Sequence, residues 1–255
     1  MRTIDTYTTT LTHGVGVIDE TLLLLPHYKP GMGVDEFADY VISNGILPSN
    51  TNTRIHNIVD KIFFYRYVNQ NSSVPKWLLQ IRRNGLMLDE FRQILMIYCA
   101  RVHRVYYEFI IYNLNTYRRE NTQKIKKEWT AEFVKNIVVR GDAEWSDYMQ
   151  NRNARNLRTA MQVFDQINSK LEILPYRAAD STILYLMHEL HFSGLSDVAI
   201  VNDTDWLLLG LDKEQVIQRI LDLNMKGGFI AQRCADLITI SWNYKTMEEF
   251  INAAL

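Results

Sequence analysis

Residues 94–114, ILMIYCARVHRVYYEFIIYNL, are long and apolar enough to be read in two opposed ways. About 20 consecutive apolar residues suffice to span a bilayer. Arg101, Arg104 and Glu108 lie inside the stretch, however, and each cation near a bilayer centre costs roughly 2.5–3.5 kcal/mol on the insertion scale. Ile94, Tyr98, Val102, Val105, Phe109 and Tyr112 recur at spacings of three and four, which is the stripe of a core helix, and the charged residues mark a polar seam. The segment is therefore expected to be the central helix of a soluble bundle, with no membrane partner.

The flanking sequence extends the helical pattern. After an extended, Thr-rich start, DETLLLLPHY predicts a short helix stopped at Pro26. GVDEFADYVISNG predicts a second, with Asp35 and Glu36 in its first turn and Gly45 at its end. Ser49, Asn50 or Thr51 is expected to cap the next helix, whose apolar face is Ile55, Ile58, Val59, Ile62 and Phe63. Beyond the break NQNSSVP, helices are expected over 76–83, 88–117, 122–138 and 142–171. After ILPYRAAD, DSTILYLMHELHFSG is expected to form a capped helix, and LDKEQVIQRILDLNMKGG another running from Asp212 to a stop at Gly227. FIAQRC and LITISW flank AD as two strands of a hairpin. The expected fold is mainly α, a helical bundle with a small winged-helix-like β-hairpin near the C-terminus. It divides into an N-terminal helical segment (1–75), a basic helical bundle (76–175) and a winged-helix-like module (176–255).

The charge is segregated along the chain. Residues 1–75 hold five Lys+Arg against seven Asp+Glu, residues 76–158 sixteen against nine, and residues 159–255 seven against thirteen, giving −2, +7 and −6 within a chain of net −1. A basic middle of this kind suits a polyanion. TYRRENTQKIKKEW, residues 116–129, concentrates Arg118, Arg119, Lys124, Lys126 and Lys127. NRNARNLRTA spaces Arg152, Arg155 and Arg158 at three and three, within an arc of about 120° on a helix, interleaved with Asn153 and Asn156. Arg82 and Arg83 complete the candidate nucleic-acid-binding set. Guanidinium, ammonium and amide groups grip phosphate oxygens, and Tyr117, Trp129 and Tyr148 could stack. The alternative is a set of solvated helix faces paired with Glu120, Glu128, Glu132 and Asp147.

A search for chemistry assigns no catalytic residues, metal ligands or cofactor. HELH, residues 188–191, puts two imidazoles at i and i+3 rather than the i and i+4 of a zinc protease, and reads as a structural pair. Cys99 with His103 at i+4 sits in an apolar context that leaves a thiol inert. Asp142, Glu144 and Asp147 fall where first-turn acids stabilise a helix. With Cys99 and Cys234 the only cysteines, neither a disulfide framework nor a zinc cage is expected. The start MRTIDTYTTTLTHG lacks the apolar core of a signal peptide, so a cytoplasmic location is expected.

Three passages carry a family likeness. LTHGVGVIDETLLLL, GVDEFADYVISNGILPSNTNTRIHNIVDKI and the stretch from LSDVAIVNDTDWLLLG through ISWNYKTMEEFINAAL resemble the BrxA family of bacterial BREX phage-defence systems. The resemblance implies an all-helical fold similar to the antitermination factor NusB, DNA binding, and company among defence proteins that include a methyltransferase and an ATPase. The expected function is thus non-catalytic double-stranded DNA binding through a basic helical face. A structural adaptor docking other BREX proteins through the acidic C-terminal module is the second reading, and RNA binding by analogy with NusB the third.

Overall fold

The computed structural model describes residues 6–48, 50–235 and 237–255. It is mainly helical, with one two-stranded antiparallel hairpin near the C-terminus. No helix among the described residues is long and apolar enough to cross a membrane. By contact the chain forms two compact units, each built from two stretches: 1–76 with 98–176, and 77–97 with 177–255.

The first unit begins with a 3-10 turn, Thr10–His13, in place of an extended start; residues 1–5 lie outside the described set. Helices α1 (Ile18–Leu24), α2 (Val34–Ser43) and α3 (Asn52–Ile58) follow. Thr51 caps α3, its side chain accepting from the Arg54 N–H at 3.3 Å; Ser49, the other hydroxyl candidate, lies outside the described residues. The α3 path continues as a wider π-helical stretch, Val59–Val68. Its hydrogen bonds run i→i+5, and Ile62, Phe63, Phe64 and Tyr67 along it are all buried. Phe63 and Phe64 join Tyr28 and Phe37 in an aromatic cluster with ring centroids 5.4–6.3 Å apart. Buried Arg66, on the same stretch, donates to the Gly14 carbonyl. A side chain at Gly14 would place Cβ 2.6 Å from Ile62 Cδ1, so the end of the Ile62 side chain would have to shift.

The central hydrophobic stretch is buried except near its end, where Tyr112 of the expected stripe is 65% exposed, and it is not one helix. Helix α5 (Leu88–Val102) ends at His103, whose φ of −123° and ψ of 83° leave the helical region. His103 then opens α6 (Arg104–Glu108), its carbonyl accepting from the Tyr106 and Tyr107 N–H groups. A second π-helical stretch, Phe109–Leu114, leads into α7 (Asn115–Arg119). The expected polar seam is mostly internal. Arg101 is 1% exposed, with its guanidinium over the Tyr98 ring, and Arg104 pairs with Glu108 at 2.8 Å. Helices α8 (Lys127–Val139) and α9 (Asp147–Val163) pack on each other and close the unit. Both are shorter than expected. Residues 122–126 and 164–176 are loop, tied by the isolated bridges Lys124↔Glu172 and Ile167↔Ile173.

The second unit contains α4 (Val74–Arg83) from Trp77 onward and the first turns of α5, together with α10 (Asp180–Phe192), α11 (Asp197–Val201), α12 (Lys213–Asp222), strands β1 (Phe229–Cys234) and β2 (Leu237–Trp242), and α13 (Met247–Ala254). The strands coincide with FIAQRC and LITISW, pairing Phe229 with Trp242 through Cys234 with Leu237. Of the turn between them, Asp236 lies outside the described residues. Asp212 and Gln215 form a reciprocal capping box on α12. That helix stops at Asp222, well before Gly227, because Asn224 turns its amide to the Ala231 backbone, accepting at 2.9 Å and donating at 3.3 Å. Met247, Phe250 and Ile251 of α13 are buried, and α13 packs on α10.

Candidate nucleic-acid interface

The cluster at residues 124–127 is built as a strand-like entry into α8, not as a helical face. Ile125 is fully buried and donates its N–H to the Leu171 carbonyl at 2.9 Å, while Lys124 and Lys126 on either side are exposed. Alternation of this kind is what an extended segment imposes. Lys126 then occupies the N-cap position of α8, and no side chain caps the helix. The uncapped N–H groups and the helix dipole favour an anion there. A surface pocket of ≈ 440 Å³ opens at this end, lined by Lys124, Lys126, Lys127 and Lys170 with Ser169, Glu128 and the buried Ile125 and Leu171.

Lys170 is the member that sequence reasoning missed. It is more than forty residues away in the chain and arrives on the 164–176 loop, a region expected to be helix. Leu171, with a φ of 64°, turns the loop back so that its carbonyl receives Ile125. Nothing local in the sequence announces that juxtaposition.

The remaining candidates are placed differently. On α9, capped by Ser146, only Arg155 of the arginine triplet is exposed. Arg152 donates to the Thr12 carbonyl at 3.4 Å, and Arg158 to Thr130 Oγ1 and, at 3.4 Å, to the Lys127 carbonyl. Burial draws the Arg158 guanidinium below its usual pKa. Arg158 thus lies beside Lys127 but is partly spent on holding α9 to α8. Asn153 faces the core, fully buried. Arg119 is exposed and donates to Thr116 Oγ1 at 3.1 Å, whereas the Arg118 head is turned inward over the Tyr176 ring. Arg82 and Arg83 belong to the other unit; Arg82 donates to the Leu86 carbonyl and lies over Phe91, and Arg83 is exposed. Of the stacking candidates, Tyr148 is 70% exposed, but Trp129 is engaged by Tyr117 at 4.8 Å and by Lys126 Nζ at 5.5 Å.

Folding also redistributes the charge. The first unit carries nineteen Lys+Arg against sixteen Asp+Glu, net +3, and the second nine against thirteen, net −4. The +7 of the linear middle segment is diluted mainly because most of it folds with the acidic residues 1–75. The positive field is local. An adjoining groove of ≈ 640 Å³ between α8 and α9 is lined by Glu128, Glu132 and Asp147 as well as Lys135.

The residues weighed for chemistry are engaged in structure. The buried His188 ring stacks on Phe250 with centroids 3.6 Å apart, and its Nδ1 lies 2.8 Å from the Leu184 carbonyl oxygen. Its pKa is lowered to about 4, first by burial and then by His191 against a raising bond from Leu184. His191 stacks on Trp242 at 3.9 Å. The buried Cys99 thiol is pushed up by desolvation, and the His103 ring lies over Tyr65. Asp142 pairs with Arg140 at 2.8 Å, ahead of α9 rather than in its first turn.

The BrxA family model matches residues 5–189, well over half of the chain. The chain belongs to the BrxA family. Membership makes it a component of BREX phage defence, and the matched span contains the lysine pocket and every basic residue singled out in the sequence. Residues from 190 onward, including the ISWNYKTMEEFI passage that carried much of the sequence likeness, lie outside it. No curated protein matches the chain.

Proposed function

We propose that this BrxA-family protein is a non-catalytic, double-stranded DNA-binding component of its defence system, gripping the phosphate backbone from the first unit. The observation that carries the reading is the convergence of four lysines, from two distant stretches of chain, on one pocket at the uncapped N-terminus of α8. Ammonium groups and helix N–H groups donate to phosphate oxygens without reading base edges, so the contact is sequence-tolerant. Exposed Arg119 and Arg155 extend the positive surface of the same unit. The hairpin with α12 and α13 resembles a winged-helix module, but α12 exposes Lys213, Glu214 and Gln215 with no excess of cations, which favours protein contact over groove insertion there.

A second reading, an adaptor for other BREX proteins, is favoured by the net −4 of the second unit and by the apolar Ile230 and Leu237 exposed on the outer face of the hairpin. Gel-shift titration of duplex DNA, single-stranded DNA and RNA of matched length at two salt concentrations separates these. Duplex binding that weakens steeply with salt is expected. Preference for RNA supports the NusB analogy, and salt-insensitive or absent binding to all three leaves the adaptor.

A further inference from the structure

Helix α9 buries one side, formed by Asn153, Ala154, Leu157, Ala160 and Met161. At about 100° per residue, Tyr148, Asn151, Arg152, Arg155, Thr159 and Gln162 fall within an arc of about 100° on the opposite side. All six carry a hydrogen-bonding group and none is a carboxylate, in a chain with more acids than bases. A plain solvated helix face mixes the two signs of charge. Three of the six are committed within the fold: Arg152 donates to the Thr12 carbonyl, Thr159 bonds back to the Arg155 carbonyl at 3.2 Å, and Gln162 donates to the Asn168 carbonyl at 3.4 Å. Tyr148, Asn151 and Arg155, spaced at three and four, are exposed and make no hydrogen bond or ion pair among the described residues.

These are side chains that tell bases apart. Arginine bonds bidentately to guanine O6 and N7, asparagine to adenine N6 and N7, and the major groove of B-DNA is wide enough to admit an α-helix. The position suits that use. Arg158, on the flank of α9, donates to the Lys127 carbonyl at 3.4 Å, so the lysine pocket adjoins the Arg155 end of the helix. A phosphate held in that pocket brings the duplex alongside α9, with one helix on the backbone and its neighbour facing the groove. Toward the start of α9, Glu128, Glu132 and Asp147 line the groove between α8 and α9 that Asn151 borders. Those carboxylates repel phosphates but not neutral base edges, which leaves Asn151 the groove floor and not the backbone to meet.

We propose that α9 is a base-reading helix, laid in the major groove of duplex DNA with Arg155 on a guanine, Asn151 on an adenine and the Tyr148 ring against the groove wall. The inference rests on the DNA reading above and adds to it: the lysine pocket grips any duplex, and α9 discriminates among them. Four residues of helix rise about 6 Å, close to two base steps of about 3.4 Å. The two preferred bases are therefore separated by one base pair.

The test is selection by the full chain from duplexes with a randomised centre, followed by anisotropy titration of the selected duplex and a scrambled one. A guanine and an adenine two steps apart should be enriched, and the selected duplex should bind at least about tenfold tighter than the scrambled one. Both substituted positions are exposed, so variants there should keep the fold. Asn151→Ala should erase the adenine preference and leave the salt slope unchanged. Arg155→Gln should change the preferred guanine to adenine, the base that a glutamine amide matches, a switch that a phosphate contact cannot produce. Changing the four pocket lysines to Gln should make the salt slope shallower and keep the ratio between the two duplexes. Selection without enrichment, by a protein that binds duplexes with a steep salt slope, overturns the base-reading helix and leaves the backbone grip standing. Enrichment that survives both α9 substitutions overturns it as well, and failure to bind any duplex overturns both readings together.

Discussion

Changing Lys124, Lys126, Lys127 and Lys170 together to Gln removes four charges from one pocket and takes the first unit from +3 to −1 while leaving the buried Ile125 and Leu171 in place. Each phosphate contact releases condensed counterions and contributes about −0.9 to the slope of log K against log salt. Loss of two to four contacts should make the slope shallower by roughly two to four units. Between 50 and 200 mM salt, a change of about three units amounts to nearly two decades. The native protein should therefore lead the variant by about a hundredfold more at 50 mM than at 200 mM. Fluorescence anisotropy with several unrelated duplexes reads the slope directly, and every duplex should weaken alike because no base edge is contacted. Exposed charges are worth under about 1 kcal/mol each, so the variant should keep its fold. Arg118 is left out of the variant because its head is internal. A folded variant that binds with native affinity and native salt slope would show the lysines to be a solvated surface and would remove the main support for the DNA reading.

The pH dependence of stability should report His188. Its folded pKa of about 4 lies below the ordinary value of 6.5, so between those limits the unfolded chain takes up a proton that the folded chain refuses. Stability present above pH 6.5 is then lost as pH falls, by about 2 kcal/mol at pH 5, with His191 adding in the same direction. Urea unfolding at pH 7 and pH 5 should show His188→Phe with a clearly smaller loss, and equal losses in both proteins would exclude His188 as the source. Phe250, fully buried against His188, should cost about 3–5 kcal/mol when changed to Ala; a cost below about 1 kcal/mol would show that α13 is not part of the core.

Helix type and element order were written locally in this chain. The three- and four-residue spacing of apolar side chains specified α2, α10 and α12; Thr51 and Asp212 marked starts, and alternation in FIAQRC and LITISW marked the hairpin, because each signal depends only on neighbours within a turn or a strand. The non-spanning character of residues 94–114 was legible for the same reason, since Arg101 and Arg104 are within the stretch itself. The break at His103 and the π-helical stretches carry no Gly or Pro, so no local breaker announced them.

The candidate site was only half legible. Lys124, Lys126 and Lys127 announced themselves as a run, but their extended geometry follows from the docking of Ile125 onto Leu171, a contact between distant stretches. Lys170 joined them through the same docking. Arg118 and Arg119 are adjacent and chemically identical in sequence, yet one head is enclosed against Tyr176 and the other faces solvent. A sequence specifies how much charge a segment carries. Which charges reach water is decided by packing, because burial depends on what the rest of the chain places above each side chain.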